Sequence, residues 1–580
     1  MAVTEIASIR LKYREPALPL CCLYCVCEHF RASAEKNGEI TPMVSRPSQD
    51  MHPYDAPRVP DGFAYLAPRS SRLWQALRSH EALIVAASIA VGLLALLLFI
   101  TNADQVSLWG DETYSLAYAS LPLSVFASVH ETNMLLYYLL LHSWLNITGL
   151  LGILPFPLVA RLPSIVAMVF AAVVISLLGS RFWNLTAGAM GGVFFVLNAL
   201  ILQQAQQARG YALLMLLTCL AWYALLSALK DPANNRWWIA YTLMSVFAIY
   251  TQILAVFMVV AQVLTVLILL LPPVARRAED FPLLSAQGWR VYRRPGSTSL
   301  AVIVAAFVPL AYDSIQHHGD ISWVPTATPS ALWAFVMAQT NDVLAAVAFI
   351  AAIALGGLLG LSVRRGFPII LLMWGIIPIA IQYVLSQPTL NLHFFYPRYL
   401  ITSLPALALL AALGVTGLRP KWGAIALTLA LLVLFIQIPG SYYPYSEVQP
   451  FMETTQWMEA RYKTGDGIIC RPATNNCGVP IGYHLRHLYT GSQQMPVVFP
   501  GDYVWDAYRS TPTDPEALTP YLASRQRVFV FTVAPIGGDP NTVQDDVPAT
   551  LEAAGFKLIA TYRPADQGAR GDVEVAEYDR

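Results

Sequence analysis

The chain has 580 residues, of which 56% are hydrophobic and only 12% charged, against about 25% charged in an ordinary soluble domain. Lys plus Arg and Asp plus Glu balance at 36 each, so net charge gives no reason to expect a nucleic-acid partner, and none is expected. Apolar runs of about 18 residues or more recur along the chain, which excludes one oversized soluble core and indicates repeated membrane crossings.

Residues 1–80 read as a cytoplasmic tail of low order. Cys21, Cys22, Cys25 and Cys27 include a Cys-x-x-Cys spacing, but no partnering Cys/His cluster follows at ligand spacing, so a metal is not expected there. The apolar run of this tail is too short for a signal peptide, and Met43 or Met51 would serve as a later start.

The first span is expected at 82–100, preceded by Arg58, Arg69, Arg72 and Arg78. The bias of Lys and Arg towards the cytoplasm then places the N-terminus inside. Arg181, Lys230 with Arg236, the group from Arg276 to Arg294, Arg364 with Arg365, and Arg419 with Lys421 mark the later cytoplasmic turns. Spans consistent with these marks lie near 158–178, 185–203, 210–229, 237–251, 253–271, 299–315, 343–361, 368–386, 400–418 and 421–438. Residues 134–154 are also apolar, but counting them as a crossing puts every later basic cluster on the wrong side. Their His142, Asn146, Gly149 and Gly152, with Tyr137, Tyr138 and Trp144, suit a helix lying in the outer interface. About eleven spans result, and an odd number sends the C-terminus outside.

From about 440 charge returns, and Pro and Gly punctuate the chain. Helical periodicity at 450–463 and 546–554 alternates with β-like runs at Gly467–Cys470, Val497–Phe499, Val528–Thr532, Lys557–Thr561 and Asp572–Glu577. The expected fold is therefore a mostly α polytopic membrane domain, 81–440, with a small exoplasmic α/β domain at 441–580. Cys470 and Cys477 fall in the latter; an oxidising exterior allows a bridge between them, with two free thiols a close alternative.

Chemistry concentrates in the outer loop 101–157, at Ser107-Leu-Trp-Gly-Asp111-Glu112-Thr-Tyr-Ser115. Two adjacent carboxylates in so apolar a chain are candidates for catalysis, with Asp111 as a general base. On a helix the pair points about 100° apart, so one faces substrate and the other anchors the loop or meets a cation. A helix N-terminal Asp-Glu interacting with the dipole is the plainer alternative.

Arg161, Arg209 and Arg398 are basic residues at outer ends of spans, where the topology rule would not put them. Each is expected near a helix N-terminus, where free N–H groups and a guanidinium fork suit phosphate. Snorkelling to headgroups is the alternative for any one of them. His130 and Asn133, within His130-Glu131-Thr132-Asn133, are expected in the same cleft, as are Tyr211, Tyr396 and Tyr399 beside the arginines. His317, His318 and Asp320 are metal-binding residue types without diagnostic spacing and read as a solvated loop, as do Asn391 and His393. The Gly pairs at 191–192 and 356–357 read as helix packing contacts. No cofactor is expected, and a divalent ion stays open.

Five short elements occur in order: Trp109-Gly-Asp111-Glu112, His130-Glu-Thr-Asn133 with Leu136-Tyr-Tyr-Leu-Leu140, Arg161-Leu-Pro-Ser164, Gln207-Ala-Arg209-Gly-Tyr211, and Pro397-Arg398-Tyr399-Leu400. Together they resemble the GT-C fold glycosyltransferases of the protein O-mannosyltransferase and aminoarabinose-transferase type, over roughly residues 80–440. The resemblance implies a polyprenyl-phosphate sugar donor and an inverting transfer to an acceptor (protein, glycan or lipid) outside the cytoplasmic membrane. It also implies Asp111 as base, Glu112 as its support or a second acidic contact, and Arg398, Arg209 and Arg161 as candidates for the donor phosphate. A transporter or flippase of lipid-linked sugars is the rival reading, disfavoured because the charges gather at one face. A sensor whose spans merely anchor the outer domain is a third.

Overall fold

Every apolar stretch read as a span is helical. The computed structural model describes residues 67–126, 133–148, 156–278, 280–281, 288–316, 324–363, 366–390, 392–442, 449–471, 475–488, 498–499, 517–534, 539–564 and 572–580. Cys21, Cys22, Cys25, Cys27, Met43, Met51, His130, His317, His318, Asp320 and Asn391 lie outside the described residues.

In chain order the main helices are α1 Ala67–Ile100, α2 Gly110–Ala119, α3 Leu135–Thr148, α4 Phe156–Phe182, α5 Leu185–Val196, α6 Ala199–Ala205, α7 Tyr211–Lys230, α8 Asn235–Thr251 and α9 Val256–Leu269. There follow α10 Trp289–Gln316, α11 Pro329–Thr340, α12 Val343–Val363, α13 Gly366–Leu385, a 3₁₀ turn Pro397–Ser403, α14 Leu404–Gly417 and α15 Lys421–Tyr442. Among the described residues, eight helices are long and apolar enough to cross a membrane, and the pair α5 and α6, bent by 66°, brings the number to nine if counted as one broken span. This is a multi-pass membrane protein. The two remaining expected spans, 237–251 and 253–271, are α8 and α9, which are shorter. The bend has a local cause: the Asn198 side chain accepts from the Leu200 and Ile201 amides at 3.0 and 3.3 Å, capping a new helix just after α5 ends. α3, the expected interfacial helix, is only 14 residues long. α11 has no counterpart in the sequence reading.

Without a hydrophobic difference between lipid tails and side chains, membrane helices associate by close packing of small residues. The buried helix α14 shows this. A Cβ on Gly356 of α12 would overlap the Leu410 carbonyl, and one on Gly414 would overlap the Ala352 carbonyl. On its other side, a Cβ on Gly191 of α5 would meet Leu409 at 2.6 Å. At Gly356 two backbones touch, whereas Gly191 and Gly192 make room for the side chains of Leu409 and Val91. Trp222 and Trp374 stack at 4.9 Å in the same interior.

The C-terminal part adds α16 Phe451–Glu459, α17 Asn475–Leu488, α18 Leu518–Ala523 and α19 Val547–Ala553, with β1 Gly467–Arg471, β2 Val498–Phe499, β3 Arg527–Val533, β4 Lys557–Tyr562 and β5 Val573–Asp579. The sheet runs β2-β1-β3-β5-β4; β2, β1 and β3 are parallel, while β5 is antiparallel to both β3 and β4. Strand alternation sorts its two faces. Ile468, Phe529 and Phe531 pack with α16 and α17, whereas Ile469, Val528 and Val530 pack with α18 and α19. Cys470 and Cys477 form a disulfide between β1 and α17, with Cα atoms 5.7 Å apart. Tyr483 of α17 reaches the opposite way and joins the hydrophobic core of the membrane helices. The membrane helices and this domain belong to one compact unit, Leu73–Arg580.

Candidate active site

The stretch Ser107–Trp109 is held from the C-terminal domain. His484 Nε2 donates to the Leu108 carbonyl at 3.0 Å, the Met452 amide donates to Ser107 Oγ at 3.0 Å, and the Gly110 amide donates to Gln449 Oε1 at 3.1 Å. Helix α2 starts there, with Asp111 and Glu112 in its first turn. The angular step between successive residues sends the two carboxylates to different environments.

Glu112 points inward and is fully buried. Its oxygens take the Arg161 fork, Nε to Oε1 at 2.8 Å and Nη2 to Oε2 at 2.7 Å. Oε1 also accepts the Ala208 amide at 2.8 Å. Arg161 spends its other three N–H bonds on the carbonyls of Ala103, Val106 and Ser107, at 2.8, 2.9 and 2.9 Å. All five guanidinium donors are therefore used inside the protein, and Arg161 is only 2% exposed. The phosphate-binding expectation for Arg161 does not fit this geometry. Its placement also differs: α4 begins at Phe156, so Arg161 sits inside the helix rather than at its open N-terminus. Arg161 and Glu112 instead brace the loop that carries Asp111.

Asp111 points the other way and is 29% exposed. Arg398 Nη1 donates to its Oδ2 at 2.9 Å, and Arg209 Nη2 lies 3.6 Å from the same oxygen. Arg209 Nη1 also donates to the Asp111 carbonyl and to Ser115 Oγ, both at 3.1 Å. The structure thus brings Asp111, Arg209 and Arg398 together, from points up to 287 residues apart.

Each arginine has a rigid mount. Arg209 lies in the irregular turn between α6 and α7; its carbonyl accepts from Ser164 Oγ at 3.2 Å, and Ser164 pairs with the Tyr137 hydroxyl at 3.0 Å. A Cβ on the adjacent Gly210 would come within 3.2 Å of Met134 and 3.3 Å of Tyr137, so the turn fits closely onto α3. Arg398 opens the 3₁₀ turn behind Pro397, whose fixed φ suits that first position. The turn is tied down by Trp374 Nε1 donating to the Thr402 carbonyl at 2.7 Å. The Arg398 guanidinium stands 5.7, 5.3 and 5.8 Å from the ring centres of Trp109, Tyr396 and Tyr399, within cation–π range.

Of the remaining expected cleft residues, Tyr396 and Tyr399 flank Arg398, with their rings 5.8 Å apart. Tyr211 opens α7, is buried, and interacts with the Arg209 guanidinium. Asn133 is partly buried in the turn that enters α3, next to the Met134 that packs on Gly210. His393 bonds the Val324 carbonyl.

Beside Arg398 lies a cavity of about 230 Å³, lined in part by Trp109, Gln203, Gln204, Gln207 and Tyr396. Sequence reasoning missed the glutamines as a group, and missed Gln449 and His484. A run of Gln in an apolar segment was the available signal for the first set. Nothing local marks the second, which act across more than 300 residues of chain.

The architecture defines a polytopic membrane protein of GT-C type, the fold that the sequence resemblance implies. No family model and no curated protein matches the chain. Among solved structures, ArnT from Cupriavidus metallidurans bound to undecaprenyl phosphate has a TM-score of 0.52 at 13% identity, covering 84% of this chain and 97% of that one. The apo state of that ArnT gives 0.51 at 13% identity, with 87% and 98% covered. The archaeal oligosaccharyltransferase AglB from Archaeoglobus fulgidus, in complex with an inhibitory peptide and a dolichol-phosphate, gives 0.47 at 12% identity, with 79% and 70% covered. At these identities the likeness is one of fold.

Proposed function

We propose that the protein is a membrane glycosyltransferase that moves a sugar from a polyprenyl-phosphate donor to an acceptor hydroxyl, with inversion at the anomeric carbon. One observation carries this: Asp111 shares a single ion-paired cluster with the guanidinium groups of Arg209 and Arg398 beside a polar cavity. Two forks converging on one point suit a phosphate, which accepts several charge-assisted bonds at once. The ArnT of similar fold holds undecaprenyl phosphate, which supports a lipid phosphate as the anion.

In this reading the donor phosphate takes over part of the Arg398 and Arg209 contacts, freeing Asp111 to meet the acceptor. The acceptor oxygen attacks the anomeric carbon while Asp111 takes its proton. The bond from that carbon to the phosphate oxygen breaks, and its electron pair stays with the phosphate. The leaving lipid phosphate thereby gains one negative charge, and fixed guanidinium groups stabilise that growth without reorganising. Glu112 and Arg161 position the loop and do not touch the reacting atoms.

Residues 81–440 would form the catalytic membrane domain and 441–580 the outer domain, with the N-terminus in the cytoplasm. The Cys470–Cys477 bridge supports an oxidising exterior for the latter. The test uses membranes supplied with radiolabelled polyprenyl-phosphate sugars, following loss of label from the lipid. Asp111→Asn should lower transfer by about 10²–10⁴-fold, the usual contribution of a general base, with thermal unfolding unchanged. Transfer at the wild-type rate in that variant refutes the assignment.

A further inference from the structure

The cavity beside Arg398 has a lining that the transfer chemistry itself does not use. Gln204, Gln207 and Trp109 are 2%, 5% and 6% exposed. Gln204 Oε1, Gln207 Oε1 and Trp109 Nε1 are buried without a hydrogen-bond partner among the described residues. All three residues line the cavity, together with Gln203, the Tyr396 ring and Arg398. Buried polar atoms are ordinarily paired, because an unmade bond leaves the atom's desolvation uncompensated. Three residues that carry such atoms line one cavity, which points to a ligand that completes them.

Its chemistry follows from the wall. The glutamine amides both accept and donate, the indole N–H only donates, and two aromatic residues, Trp109 and Tyr396, belong to the same lining. Among the described residues lining the cavity Arg398 alone is charged, and it is already turned to Asp111. Hydroxyl groups satisfy an amide in either orientation, because each hydroxyl both donates and accepts. A cationic ligand finds no carboxylate among the described lining residues, and a carboxylate ligand cannot satisfy the amide oxygens. At about 30 Å³ per water the cavity has room for roughly eight waters, about one pyranose ring with its hydroxyls.

We infer that this cavity is the donor's sugar subsite and that it selects an uncharged, polyhydroxylated sugar over an amino or acidic one. The inference rests on the glycosyltransferase reading. It gives the phosphate to Arg398 and Arg209 and the sugar to Gln204, Gln207 and Trp109.

The experiment measures binding to the full-length protein in nanodiscs, by competition against a labelled undecaprenyl phosphate. The competitors are unlabelled undecaprenyl phosphate, its mannose ester and its 4-amino-4-deoxyarabinose ester. The mannose ester should bind at least about 10-fold more tightly than the bare lipid phosphate and than the amino-sugar ester, since each well-made bond to a buried amide contributes roughly tenfold. Gln204→Leu and Gln207→Leu should each remove most of that advantage while leaving bare lipid phosphate binding unchanged, which also shows that the variants are folded. Gln207→Glu should turn the preference towards the amino sugar. Equal binding of the mannose ester and the bare phosphate, wild-type preference for the amino sugar, or leucine variants that keep the mannose advantage would each overturn the subsite while the lipid-phosphate reading stands. Failure of every lipid phosphate to bind would overturn both.

Discussion

Arg161→Met separates bracing from phosphate binding. Methionine keeps much of the arginine's volume but deletes five hydrogen bonds, two of them to Glu112. Glu112 has no exposure to water, so its carboxylate is left chiefly with the Ala208 amide. Breaking a buried pair by removing one partner costs about 3–5 kcal/mol. At 1.4 kcal/mol per factor of ten, that is roughly 10²- to 10⁴-fold in the folding equilibrium. Replacing both partners leaves no stranded charge, so the Glu112→Gln, Arg161→Met double variant should recover most of the loss. The assay is thermal unfolding of the purified protein in detergent for all four members of the cycle, with undecaprenyl phosphate binding measured alongside. The single variant should unfold at clearly lower temperature and the double variant close to wild type. A single variant that melts like wild type but loses lipid binding would refute the bracing role and restore Arg161 to the phosphate.

Arg398→Lys should lower transfer by more than about tenfold, because a point-like ammonium cannot fork to phosphate and carboxylate from the same aromatic cage; steady-state kinetics checks it, and a wild-type rate contradicts the proposed contact. His484→Ala removes the bond to the Leu108 carbonyl and should reduce kcat more than donor binding, because it loosens the loop carrying Asp111 without touching a phosphate ligand. Burial raises the pKa of Glu574 in β5 above the ordinary carboxylate range. The folded state therefore holds that proton more readily than the unfolded chain, so its contribution to stability is present at low pH and is lost as pH rises through the raised value. Glu574→Gln should flatten this part of the pH–stability curve; melting temperatures between acid and neutral pH check the slope.

The sequence by itself determined the apolar helices read as spans, though not α11, and the strand runs of the C-terminal domain. Both follow from local physics: about 20 apolar residues are needed to cross a bilayer, and alternation sorts a strand's faces. It also placed Asp111, Arg209 and Arg398 in loops bordering spans, because a charge in lipid is costly and stands out. Helix α17 escaped it, since Gly478, Pro480 and Gly482 read as breakers and only packing between the sheet and the membrane helices holds that segment helical. The roles of the two adjacent acids were equally beyond it. One residue's step of rotation buries Glu112 against Arg161 and leaves Asp111 open to Arg398. Which acid turns inward depends on where α4 and the turn before α7 deliver Arg161 and Ala208. Adjacency along the chain fixes the angle between the two carboxylates, and only the assembled helices decide what each one meets.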